Sequence, residues 1–130
     1  MEVKKNLRYT KDHEWARPEG DRIFTGITDY AQHALGDIVF VELPEKGSAL
    51  SKGDVLGTVE SSKAASDIFS PLCGKVAEVN TELEDKPELV NEAPYDAWIA
   101  AMIPDDPAEA VTGLMDADEY EKYIKTLEHD

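Results

Sequence analysis

Residues 59–76 read VESSKAASDIFSPLCGKV, with one lysine, Lys63, set among Ser61, Ser62, Ala64 and Ala65. On either side lie short runs of strand character, 55–60 (VLGTVE) and 65–69 (ASDIF). A turn signal bounds each run: SKGD at 51–54 precedes the first, and PLCG at 71–74 follows the second. The segment 55–79 therefore has a loose two-fold character about Lys63, with strand and turn on each side. It reads as a hairpin that carries Lys63 on a tip of small residues.

The pattern extends outward from this hairpin. Residues 13–17 and 22–26 read as two strands joined by Pro18-Glu19-Gly20-Asp21. Residues 37–43 (DIVFVEL) form another strand, ended by Pro44-Glu45-Lys46-Gly47. Residues 75–80 alternate, with Val76 and Glu78 set against Ala77 and Val79, and residues 97–103 are a late apolar strand. Many short strands with turns about every ten residues predict an all-β barrel or sandwich. One helix interrupts them, in ITDYAQHALGD at 27–37. Asp29 and Gln32 make a capping box, Gly36 supplies the left-handed stop, and Ala31, Ala34 and Leu35 mark the buried side.

The tail changes character. Asp106-Pro107-Ala108-Glu109 combines a capping box with proline at the first helical position. Asp116 and Glu119 form a second box, and Tyr120, Tyr123, Ile124 and Leu127 then recur at helical spacing. Two C-terminal helices packed on the barrel are expected, with that stripe as core. No linker or low-complexity segment appears, so residues 1–130 read as a single domain.

Thirteen Lys and Arg against 28 Asp and Glu give a net charge of −15. Such a surface repels phosphate backbones and anionic lipid, which argues against nucleic-acid and membrane partners. It suits a partner with a basic docking face, and equally simple solubility. The lone Cys73 excludes an intramolecular disulfide and a cysteine metal cluster. His13, His33 and His129 do not fall at zinc spacing. The opening MEVKKNLRYT has no apolar signal core, and a cytoplasmic location is expected.

Lysine is protonated at neutral pH and then a poor nucleophile. A catalytic lysine is buried or flanked by cations; Lys63 has small neighbours, and Glu60 and Asp67 would favour its ammonium form. It is poorly placed to form a Schiff base and well placed to be presented to another protein. Spacing alone also allows an ordinary solvated turn lysine.

Further blocks narrow the choice. The segment 57–80 resembles the lipoyl-attachment region of the glycine cleavage system H protein family. So do Tyr9-Thr10-Lys11-Asp12-His13-Glu14-Trp15, residues 26–32 (GITDYAQ), residues 35–44 (LGDIVFVELP), Pro87-Glu88-Leu89-Val90-Asn91 and Pro94-Tyr95, in family order over nearly the whole chain. The resemblance implies a mainly β protein, a flattened biotinyl/lipoyl-type β-barrel sandwich. It implies lipoate in amide linkage on Lys63 and a monomer that is not itself an enzyme. The carried arm would take an aminomethyl group from glycine decarboxylase, the P protein. It would pass that group to the tetrahydrofolate-dependent aminomethyltransferase, the T protein, and be reoxidised by dihydrolipoamide dehydrogenase, the L protein. A lipoate ligase or a lipoyl/octanoyltransferase would load it.

By the same resemblance, Glu60 and Gly74 are positions that the loading enzyme reads, although Gly74 also suits a left-handed turn. Glu14, His33 and Asp67 match a shallow cleft for the aminomethylated arm; His13 and Trp15 are expected to pack. Ser61, Ser62 and Ala64 are small for access or for the turn. Residues 96–101 (DAWIAA) depart from the family, lacking the glycine common before this tryptophan and a basic residue shortly after. A biotin carrier would place methionines beside the lysine, where Ser62 and Ala64 stand. A 2-oxoacid dehydrogenase lipoyl domain would usually bring linkers and further domains. A lipoate relay that donates its group to other proteins remains open, as do an enzyme using Lys63 directly and a pure interaction module.

Overall fold

The computed structural model describes residues 1–128, so His129 lies outside the described residues. The chain opens with β1 (Arg8–Tyr9), β2 (Glu14–Glu19), β3 (Arg22–Ile27) and the helix α1 (Asp29–Leu35). Next come β4 (Ile38–Glu42), β5 (Ala49–Leu50), β6 (Val55–Ser61), β7 (Ala65–Phe69) and β8 (Gly74–Val79). Two four-residue helices follow, α2 (Glu82–Asp85) and α3 (Leu89–Glu92), then β9 (Ala100–Pro104) and α4 (Ala117–Glu128).

The strands form two antiparallel sheets. One is six-stranded in the order β1-β2-β3-β9-β8-β5, and the other is β4-β6-β7. The sandwich expectation holds, but the sheets are not closed into a barrel: among the described residues, no pairing joins the ends of either sheet. Between the sheets lies an aliphatic core that includes Ile27, Ile38, Val41, Leu56, Val59, Ile68, Val76, Ile99 and Met102. Ile38 and Val41 of β4, Leu56 and Val59 of β6 and Ile68 of β7 turn inward to build it, because apolar side chains on one face of each strand leave water, although β4 does not alternate strictly. In β8 the alternation is broken by an irregularity between Val76 and Glu78, so Val76 is buried and Glu78 exposed.

A second, aromatic cluster attaches α4. Tyr120 and Ile124 are buried against Leu7, Tyr9 and Trp15, with the Tyr9 and Tyr120 rings stacked at 4.5 Å. Burying each such side chain contributes about 1.5–3 kcal/mol. The Asp116–Glu119 box forms reciprocally: the Glu119 amide donates to Asp116 and the Asp116 amide to Glu119, at 2.9 and 3.2 Å. As expected, His13 and Trp15 pack. The Trp15 indole donates to the Pro94 carbonyl, and the His13 ring lies 2.9 Å from the Tyr120 hydroxyl.

Three expectations are corrected. Among the described residues, only one C-terminal helix forms, α4. Asp106 does cap, accepting from the Ala108 amide at 3.1 Å, but the chain then makes turns and reaches Gly113 at φ +85°. Thr112-Gly113 arrives before a helix could repay its costly first turn. In α1 the cap is Thr28, whose hydroxyl accepts from the Ala31 amide. Asp29 instead binds the Gln32 amide group and the Glu2 backbone N–H. Gly36 stops the helix at φ +84°, and Ala31 and Leu35 are half-buried, but Ala34 is exposed.

Candidate functional site

Strands β6 and β7 pair from Val55 with Phe69 to Glu60 with Ala65, and the chain reverses across Ser62, Lys63 and Ala64. Ser61 holds the reversal. Its amide donates to the Ala64 carbonyl at 2.7 Å, and its hydroxyl oxygen accepts from the amides of Lys63 and Ala64 at 3.1 and 3.0 Å. Such hydroxyl-to-backbone turns need a short polar side chain. Ser61 thus builds the tip, a role that the sequence reading left between access and turn preference. The Ser62 amide donates to the Asp37 carbonyl, which anchors the tip to the start of β4.

Lys63 is exposed on this mount, and its stem crosses the end of α1. A methyl group built on Gly36 would stand 3.0 Å from Lys63 Cε and 3.5 Å from Nζ. Gly36 therefore serves twice, in the left-handed helix stop and as clearance for the lysine. Its carbonyl and the Gln32 side chain are held by Asn91, at 2.9 Å each. An exposed amine on a small, braced tip can be reached by another protein's active site.

Glu60 is exposed on β6 beside Ala65 and Phe40. Gly74 is not in a left-handed turn. It is buried in β8 opposite Pro104, where an added methyl would meet the Ile103 carbonyl oxygen at 2.5 Å. Gly74 also lies beyond the far end of β7 from Lys63, a run of roughly 15 Å at ~3.3 Å per residue.

Glu14 is buried at 2% exposure and accepts from the Thr10 hydroxyl at 2.6 Å and the Phe69 amide at 3.2 Å. The turn before it sets this position, with His13 at φ +68° and its amide bonded to Thr10. A cavity of about 250 Å³ opens against Glu14, lined also by Tyr9, Thr10, Lys52, Phe69, Ser70 and Met115. Burial raises the Glu14 carboxyl from its ordinary 4.5 to about 7, against the lowering effect of its two hydrogen bonds. Asp67 is exposed two residues from Phe69 on β7, on the way to the tip, and accepts from Thr58. His33 is exposed on the last turn of α1, just before Gly36. No hydrogen bond links Glu14, His33 and Asp67 to one another among the described residues. Instead β7 and α1 both lead from the neighbourhood of Glu14 towards Lys63. Cys73 is exposed, and its sulfur accepts from the Lys52 amide at 3.3 Å. Among the described residues, no group of histidine, cysteine and carboxylate side chains is arranged to hold a metal, and no helix is long and apolar enough to cross a membrane.

The Glu14 shift has a sign that can be checked. Between about pH 4.5 and 7 the folded chain holds a proton that the unfolded chain has lost, so folding takes one up. The Glu14 contribution is therefore most favourable at the acid end and is lost as pH rises through about 7. A shift of this size is worth about 3 kcal/mol. Glu14→Gln should remove that pH dependence. Urea unfolding of both proteins from pH 4.5 to 8 checks it; parallel stability curves would contradict the assignment.

A family model described as Glycine cleavage H-protein matches residues 7–127. The glycine cleavage system H protein of Thermoanaerobacter sp. (strain X514) is 55% identical over 124 residues, covering 95% of this chain and 98% of that protein. That of Brevibacillus brevis (strain 47) is 53% identical over 126 residues, covering 96% and 99%. A crystal structure of a glycine cleavage system H protein from Mycobacterium marinum superposes with a TM-score of 0.85 at 39% identity, covering 95% and 99%. With its open two-sheet sandwich and its braced lysine tip, the chain belongs to the glycine cleavage H-protein family.

Proposed function

We propose that the chain is a lipoyl carrier of glycine cleavage, with lipoate in amide linkage on Lys63. The observation that carries this reading is the exposed Lys63 on a tip fixed by Ser61 and Asp37 and cleared by Gly36. The bound lipoyl group supplies a dithiolane whose reduction and reoxidation the chain's single cysteine could not provide. Lys63 gives up its charge on acylation and becomes a neutral anchor. The stiff hairpin sets where the arm begins, and docking then raises its local concentration at each partner. Those partners are glycine decarboxylase, the aminomethyltransferase and dihydrolipoamide dehydrogenase, and the chain itself turns nothing over.

Glu14, with Asp67 between it and the tip, suits a cationic amine brought back along β7. An amine paired with Glu14 would favour the carboxylate and, near pH 7, displace its proton. His33 borders the same path from α1. Glu60, beside the tip, is the recognition position that the fold supports better, because packing alone explains Gly74. The test is reconstitution of glycine-dependent methylene-tetrahydrofolate formation with the three partner enzymes and the acylated chain. Turnover that requires the chain is expected. An acylated chain that gives none with competent partners would instead support the lipoate relay.

A further inference from the structure

Strand β4 carries a bulge beside the lysine tip. Ile38 pairs with Ser61 and Phe40 with Glu60, so β4 advances two residues while β6 advances one, and Val39 is the extra residue. Bulges of this kind re-aim side chains. Val39 and Phe40 are 57% and 48% exposed, while Ile38 and Val41 on either side are buried. The fold gains no packing from turning two adjacent large apolar groups into water, and such patches mark contact surfaces. The surroundings are acidic. Glu60 lies across from Phe40, and two rows on Glu42 faces Thr58, which faces Asp67. All three carboxylates are exposed, and none has an ion-pair partner among the described residues.

We propose that the Val39–Phe40 bulge, with Glu42 behind it, is the docking surface for the enzyme that acylates Lys63. That enzyme would offer an apolar socket rimmed by lysine or arginine. The proposal rests on the lipoyl-carrier reading. Its geometric reason is the short reach of the acylation step. The Lys63 amine attacks the acyl carbon of an acyl adenylate or acyl thioester. The N–C bond forms, the C–O or C–S bond breaks with its electron pair leaving on the departing group, and the amine loses a proton. No electrons are exchanged with any other reagent. Nζ sits only a side chain above the backbone, so the acylating enzyme must cover the tip, and the Asp37 carbonyl ties the tip to the start of β4. Enzymes that act on the finished arm meet its far end, an acyl chain further out, and need not touch β4. Charge complementarity to a chain of net charge −15 would steer the encounter.

The test uses the full unacylated chain, a purified lipoate–protein ligase, lipoate and ATP, and follows mass gain by mass spectrometry. The pair Val39→Thr/Phe40→Thr places strand-compatible, β-branched residues at both positions and should lower kcat/KM on the order of tenfold, mainly through KM. Glu42→Lys, which leaves the bulge untouched, should also slow acylation and flatten its dependence on salt. Ile103→Thr, at an exposed apolar position on β9, should change nothing. If the parent chain is acylated and both the pair variant and Glu42→Lys match its rate, the docking surface is overturned and the carrier reading stands. A parent chain that is never acylated overturns both.

Discussion

Lys63→Arg should abolish glycine-dependent methylene-tetrahydrofolate formation in the reconstituted system while leaving the fold intact. Arginine keeps the positive charge and a long stem. Its guanidinium stays protonated, however, and cannot serve as the acyl acceptor. The tip does not depend on the lysine amine. It is held by the Ser61 hydroxyl and by main-chain bonds from Ser61 and Ser62. An exposed substitution of this kind shifts stability by no more than about 0.5 kcal/mol. Background turnover with an unchanged melting temperature is thus the expected pair of results. Turnover near that of the parent would show that the group is carried elsewhere.

The second large effect falls on stability. Gly74→Ala should cost about 2–3 kcal/mol, which lowers the melting temperature on the order of 10 °C. The added methyl would stand 2.5 Å from the Ile103 carbonyl oxygen, 3.0 Å from Leu72 Cδ1 and 3.1 Å from Pro104 Cα. Two of those contacts are backbone in the paired strand β9, so relief requires β8 and β9 to separate where they are hydrogen-bonded. Differential scanning calorimetry reads the cost. Acylation of the folded variant below its melting temperature should match the parent. A variant of parental stability that resists acylation would instead make Gly74 a recognition residue.

Much of this was legible in the sequence, for local reasons. The hairpin around Lys63 was visible because strand-forming runs and turn signals flank it within a few residues. The Asp116–Glu119 box and the stripe from Tyr120 to Ile124 were visible because helical spacing is a local property. What was misread depends on neighbours distant in the chain. Gly74 looked like a turn glycine, yet the backbone of β9 nearly 30 residues away decides its identity. The Asp106 box was a true cap, but Gly113 closed the segment before a helix could form. Barrel closure is set by which strands find partners across the sheet, and no local pattern reports that. The exposure of Val39 and Phe40 was hidden because DIVFVEL reads as an ordinary strand until the register with β6 places a bulge in it. Glu14 was reached only through resemblance. Its burial and its hydrogen bond to Phe69 join residues 55 positions apart.

The central claim is that Lys63 is the acylated residue, and the most direct test is intact-mass and peptide-mapping analysis of the chain purified from cells that make lipoate. The account predicts a mass increase of one lipoyl group, localised to the peptide that contains Lys63. An unmodified chain from such cells, or an adduct on any other residue, would contradict it.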